Sequence, residues 1–196
     1  MSQITNQVIG KAHVMYLHGL EGSPDGTKGR WTRRFFSAAA PYMPASRENK
    51  EESFKNSYAV AKEAIEAHQP DVIVGSSFGG GVLMNLLQNG DWSGNAVMLA
   101  PAGVMYGVGD TIPEGSHVII IHAPSDDVVP YSDSELIVRN SGGRAELWAA
   151  ESIHLENCDP SLGLDNPCDG NHRLHAIIEN GMLSRAIVAQ LTRPKA

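Results

Sequence analysis

Asp71-Val72-Ile73-Val74-Gly75-Ser76-Ser77-Phe78-Gly79-Gly80-Gly81 is the stretch on which the fold turns. Its opening residues read as a strand buried on both faces, because Val and Ile follow one another without polar alternation. The residues from Phe78 to about Gln88 read as an apolar helix. Between the two lies Gly75-x-Ser77-x-Gly79, and a strand before with a helix after is the setting that gives this pattern meaning. So tight a turn holds the central serine in a strained backbone conformation. Side chains two positions either side would collide on its inner face, hence the glycines. Centring the turn on Ser76 would require small residues at Val74 and Phe78, so the phase selects Ser77. The plainer alternative is a Gly-Ser turn that merely begins a helix, with or without a bound phosphate.

Outward from this point the chain alternates short apolar runs with amphipathic segments. Strands are expected at His13–Leu17, Asp71–Val74, Asn95–Ala100, His117–His122 and Ala145–Ala149. A weaker one is expected at Tyr42–Ala45, between Pro41 and Pro44. Helices are expected at Thr27–Ala40, at Ser53–His68 with Ser53 as its cap, and at Ser132–Asn140. A last helix is expected from His172 to about Leu191, after a long polar loop from Glu151 to Asn171. This alternation predicts one α/β domain over residues 1–196, a three-layer α/β/α sandwich with a mostly parallel sheet of about six strands. In such sheets sites lie beyond the carboxyl ends of the strands, where Ser77 falls.

A nucleophilic serine needs a base, and the base an orienting acid. In this architecture the acid precedes the histidine along the chain. Asp126 and Asp127 follow the strand that ends at His122, which is the right layer for the acid. Of eight histidines, His13, His18 and His68 precede the serine, while His117 and His122 precede the acid. That leaves His154, His172 and His175, with His172 favoured because it ends a loop that can swing over the sheet edge. An oxyanion hole would draw on the Phe78 N–H and on the Leu20 N–H of the loop after the first strand. His18 reads as a structural residue that hydrogen-bonds that loop's backbone.

The rest of the composition is restrictive. A formal net charge of −7 argues against nucleic acid or an anionic membrane surface as partner. The one basic cluster, Lys28, Arg30, Arg33 and Arg34, reads as a solvated helix face. No apolar run approaches the ~20 residues of a membrane span, and Met1–Lys11 lacks the apolar core of a signal peptide, so the cytoplasm is the expected compartment. His154, Cys158 and Cys168 share the long loop without a zinc-like spacing, which favours a plain solvated loop over a metal site or a disulfide. No metal and no cofactor is expected.

Taken in order, four motifs look familiar. They are Leu17-His18-Gly19-Leu20 with Ser23-Pro24 and Lys28, Gly75-Ser76-Ser77-Phe78-Gly79-Gly80, Asp126-Asp127-Val128-Val129-Pro130, and Gly170-Asn171-His172-Arg173-Leu174. Together they resemble the small cap-less α/β hydrolases, particularly the YqiA-like bacterial esterases. The family's acid motif, His-Gly-x-x-Asp-x-x-Val-Pro, lines up on His122 to Pro130. That implies Asp126 as acid, and the histidine motif implies His172 as base. Ala123 stands where the family has glycine.

The resemblance implies hydrolysis of a small-molecule carboxylic ester through an acyl-enzyme on Ser77. Thioesterase or acyltransferase activity with the same triad, or a silent hydrolase-like binding protein, are the alternatives. Between Ala102 and Gly115 there is room for a flap and not for a cap domain, so the site is expected to be open, with Met105 and Tyr106 at its substrate-binding edge.

Overall fold

A computed structural model describes residues 11–20, 22–150, 172–174 and 176–194. Six strands form one sheet: β1 (His13–Leu17), β2 (Ser37–Ala39), β3 (Val72–Ser76), β4 (Asn95–Leu99), β5 (His117–His122) and β6 (Ala145–Ala149). Their order is β2-β1-β3-β4-β5-β6, and every pairing is parallel. The helices are α1 (Thr27–Phe35), α2 (Lys50–His68), α3 (Phe78–Gln88), α4 (Tyr131–Asn140), α5 (Ala176–Glu179) and α6 (Met182–Thr192).

The period of two along each strand sorts its side chains into two cores. Met15, Leu17, Ile73, Met98 and Ile120 face the layer of α2, α3 and α4, where Ala61, Ile65, Leu83, Leu87 and Ile137 meet them. Val14, Tyr16, Val74, Leu99 and Ile121 face the other way, onto Phe36 and onto Ile177, Leu183 and Ile187 of α5 and α6. Burial on both faces is why β3, β4 and most of β5 carry apolar residues almost without interruption. Among the described residues no helix is long and apolar enough to cross a membrane.

Four elements differ most from the sequence reading. α1 stops at Phe35, and the edge strand is Ser37–Ala39 instead of Tyr42–Ala45. Phe36 leaves the helix to bury its ring in the second core, which turns the next residues into register with His13–Met15. Helix-favouring alanines thereby become a strand, tertiary pairing overriding local propensity. α2 begins at Lys50, capped by Asn49, whose Oδ1 accepts the Glu52 N–H at 3.1 Å. Ser53 is instead buried within the helix and bonded to Ser46. The C-terminal helix is broken at Asn180-Gly181, where Gly181 takes φ 74°, and His172 lies in a turn ahead of it. The loop with His154, Cys158 and Cys168, and also His175, lie outside the described residues.

The connection order puts a switch point between β1 and β3, since the chain leaves β1 to one side for β2 and returns on the other for β3. Close packing closes that crevice from below. A Cβ at Gly79 would stand 2.3 Å from the Leu17 carbonyl oxygen, and one at Gly75 2.6 Å from the Gly79 oxygen. Gly79→Ala should therefore force backbone apart and lower stability by about 3 kcal/mol, or roughly 6–12 °C in Tm. Gly90→Ala, at φ 73° with open space around it, should cost only the ~1–2 kcal/mol of a left-handed alanine. Thermal melts of the two variants check this contrast.

Candidate active site

Ser77 stands at the end of β3, with φ 53° and ψ −113°, immediately before the first residue of α3. A side-chain-bearing residue there is strained and persists only where its surroundings over-determine it. They do so here. The Ser77 N–H donates to the Leu99 oxygen at 2.8 Å, and the Ser77 oxygen accepts from Gly81 at 3.0 Å and from Ala102 at 3.1 Å. The hydroxyl is thereby set at the N-terminal end of α3, where helix backbone dipoles favour negative charge.

His172 and Asp126 converge on this hydroxyl from two other segments. The Ser77 hydroxyl donates to His172 Nε2 at 2.5 Å, and His172 Nδ1–H donates to Asp126 Oδ2 at 2.8 Å. The Asp126 side chain has no solvent exposure, whereas that of His172 is 18% exposed. Asp126 Oδ1 accepts the Val128 and Val129 N–H groups at 2.8 and 2.9 Å. Burial opposes charge on this carboxyl, but hydrogen bonds from His122, His172 and the Val129 backbone, with the charge of His172, outweigh it. They hold the carboxyl well below the usual carboxylate range. Asp127, the other candidate in the sequence, is exposed.

His122 is a participant that sequence order set aside. Its Nε2 lies 3.1 Å from Asp126 Oδ2 and 3.2 Å from the Val129 oxygen, and its Nδ1 lies 2.8 Å from Ser134 Oγ. Two acceptors at Nε2 require a proton there, and Nδ1 is the ring's hydrogen-bonding contact with the Ser134 hydroxyl. The Asp126 carboxylate is thus held by two imidazoles on one oxygen and two backbone amides on the other. The signal available in the sequence was the spacing of His122 from Asp126 across a turn, four residues that bring a strand-end ring back to the loop. Ala123 is fully buried and does not take a positive φ, so this position accommodates a Cβ where the family pattern has glycine.

The loop after β1 reaches the same crevice. A Cβ at Gly19 would lie 3.4 Å from Ser77 Cβ and 4.0 Å from its Oγ. His18 holds this loop: its Nδ1–H donates to the Gly19 oxygen at 2.8 Å, and its Nε2 accepts the Met43 N–H at 3.0 Å. Burial, partly offset by that Gly19 bond, lowers its pKa and keeps it neutral. Leu20 packs against the first core. The Phe78 ring is buried edge-on to Phe54 and Tyr106, which stack on each other at 5.2 Å.

Met105, 55% exposed, and Tyr106 line a groove of about 570 Å³ with Lys50, Phe54, Tyr58 and Asn85. None of Ser77, Asp126 and His172 lines that groove. Most of its lining comes from the first half of α2, with Asn85 the contribution of α3. Among the described residues no group of histidine, cysteine and carboxylate side chains is arranged to hold a metal.

The sequence pattern of UPF0227, described as an uncharacterised protein family, matches residues 13–107. Comparison with curated proteins finds no significant match. Among solved structures, a protein assigned to the α/β-hydrolase superfamily from Xanthomonas campestris superposes with a TM-score of 0.67 at 19% identity, over 92% of this chain and 98% of that one. Est1E from Butyrivibrio proteoclasticus gives 0.65 at 13% identity, over 94% and 90%. A structure from the work on LipS and LipT, two metagenome-derived lipolytic enzymes, gives 0.64 at 14% identity, over 94% and 95%.

Because Asp126 is held below the usual carboxylate range in the native state, its charge stabilises the fold at pH values above the range in which it titrates when unfolded. The contribution is lost as pH falls through the folded pKa. The stability advantage of the parent over Asp126→Asn, read by urea denaturation, should shrink as pH is lowered from about 5. An advantage that grows on acidification would contradict the assignment.

Proposed function

We propose that the chain, whose fold is that of the α/β hydrolases it superposes on, is a serine esterase acting on small carboxylic esters. The observation that carries this reading is the relay Ser77 Oγ, His172 Nε2 and Nδ1, Asp126 Oδ2, with steps of 2.5 and 2.8 Å. The fold it shares with a lipolytic enzyme agrees with it.

In the proposed reaction His172 Nε2 takes the serine proton as Oγ attacks the ester carbonyl. The carbonyl π electrons move to oxygen, and the Phe78 N–H at the head of α3 and the Leu20 N–H of the loop after β1 receive that charge. Collapse expels the alcohol, which leaves with the proton held by His172, and the acyl group stays on Ser77. Water then repeats the sequence, with His172 again taking and returning a proton, and the acid departs. Asp126 remains ionised throughout, keeps the Nδ1–H tautomer and stabilises the imidazolium. The chemistry calls for no cofactor. A crevice without a cap suits short acyl groups or an ester on a larger molecule, with Met105 and Tyr106 meeting the remoter part of the substrate.

The test is a screen of p-nitrophenyl esters from acetate to palmitate with Ser77→Ala alongside. Turnover by the parent should fall by about 10⁴-fold or more in Ser77→Ala, to the level that binding alone supports. Covalent labelling of Ser77 by a fluorophosphonate without turnover of any ester would shift the reading to a thioesterase or acyltransferase. Absence of labelling in folded protein would leave a silent binding protein.

A further inference from the structure

We propose that Lys28 is a positioning residue for His172, its ammonium group holding the backbone beside the imidazole and so setting the reach of that ring to Ser77. The inference rests on the serine-esterase reading. Its starting point is a hydrogen bond from Lys28 Nζ to the carbonyl oxygen of Arg173, 145 residues away in sequence and next in chain to His172. The basic cluster therefore does not form a uniformly solvated face: Arg33 pairs with Asp25 at 2.6 Å at the surface, whereas Lys28 turns inward to the segment that carries the base.

A tether positions only if its own base is fixed, and that of Lys28 is. A Cβ at the adjacent Gly29 would stand 2.0 Å from the Pro24 oxygen and 3.4 Å from the Tyr16 ring, so the first turn of α1 is pressed onto its approach and onto β1. Arg33 adds a bond to the Pro24 oxygen at 2.7 Å, and Arg30 one to the Asp25 oxygen at 2.6 Å. The stem of Lys28 thus leaves a rigid platform attached to the sheet.

The other end needs such a tether. His172 and Arg173 form a turn outside any helix, and the next helix begins only at Ala176. Leu174 takes φ 50° while its side chain is buried in the second core. A left-handed leucine is strained, and its peptide would relax by rotation unless something held it. The Arg173–Leu174 peptide is the one whose oxygen accepts from Lys28. A charge-assisted bond at that oxygen opposes the rotation. Leu174 anchors one side of the peptide by burial, Lys28 fixes its orientation, and His172 inherits a defined origin for its two short hydrogen bonds.

The experiment compares the parent with Lys28→Met, which keeps the apolar stem but loses the donor, Lys28→Gln, whose amide is too short to reach, and Lys28→Arg, which restores a charged donor. Ester turnover is measured at a temperature where circular dichroism shows each variant folded. The downfield proton resonance of His172 Nδ1–H, assigned by its loss in His172→Ala, is recorded on the same samples. Lys28→Met and Lys28→Gln should lower kcat by about 10- to 100-fold, leave KM within about two-fold of the parent, and broaden or abolish the resonance. Lys28→Arg should recover most of both.

Parental kcat with the resonance intact in Lys28→Met would overturn the inference. A raised KM at unchanged kcat would do so too, by making Lys28 a substrate contact. Should Lys28→Met not fold at any temperature, Lys28→Gln is judged by the same outcomes. If the parent turns over no ester, the esterase reading falls on that result alone, and the resonance in parent and variants still decides whether Lys28 holds His172.

Discussion

Backbone packed against backbone at the crossing of the Gly75–Gly79 turn with the end of β1 is the constraint on which the rest of the site depends. The 2.3 Å separation between a hypothetical Gly79 Cβ and the Leu17 oxygen means that α3 can start where it does only over a bare Cα. That start sets Ser77 in its strained conformation, and the strain is sustained by three backbone hydrogen bonds from β4, α3 and the segment after β4. Dense, two-sided burial of β3 and β4 makes the platform stiff enough to hold it. A looser sheet would let the serine relax and withdraw its hydroxyl from the crevice.

Around that fixed hydroxyl the electrostatics are arranged in depth. The Asp126 side chain has no solvent exposure, a position that would ordinarily neutralise a carboxyl, and it stays ionised because four N–H donors from His172, His122, Val128 and Val129 face its two oxygens. Only one of the four belongs to the proposed proton relay. The other three orient the carboxylate so that Oδ2 meets His172, and His122 is itself oriented by Ser134 from α4. In the proposed reaction an Asp126 held ionised in this way stabilises the imidazolium with little rearrangement when the proton arrives. At the mouth, His18 does comparable work without charge. Kept neutral by burial, it ties the Gly19 turn to Met43 and so holds the loop that carries Leu20 beside the serine.

Much of this was legible along the chain because it is local. The Val-Ile runs, the glycine phase around Ser77 and the strand-end aspartate state their positions in the spacing of neighbouring residues, and the period-two burial of the strands follows from the same spacing. The failures were non-local. Ser37–Ala39 becomes a strand only because β1 offers a pairing edge and Phe36 a buried ring. His122 was set aside because chain order is a rule about bases and says nothing of which rings turn back onto a carboxylate. Lys28 was grouped with Arg30, Arg33 and Arg34 because helical spacing cannot see a carbonyl 145 residues away.

The sequence by itself therefore determined an α/β sheet, the nucleophile candidate and the order of its partners, since strand periodicity and a glycine-flanked turn are short-range steric facts. Only the tertiary structure decided that His172 reaches Ser77, that one carboxylate serves two histidines, and that a lysine on α1 bonds to the backbone next to His172. Those are contacts between segments far apart in the chain, and their distances follow from how a twisted sheet and its helices close around two cores, which no local spacing encodes.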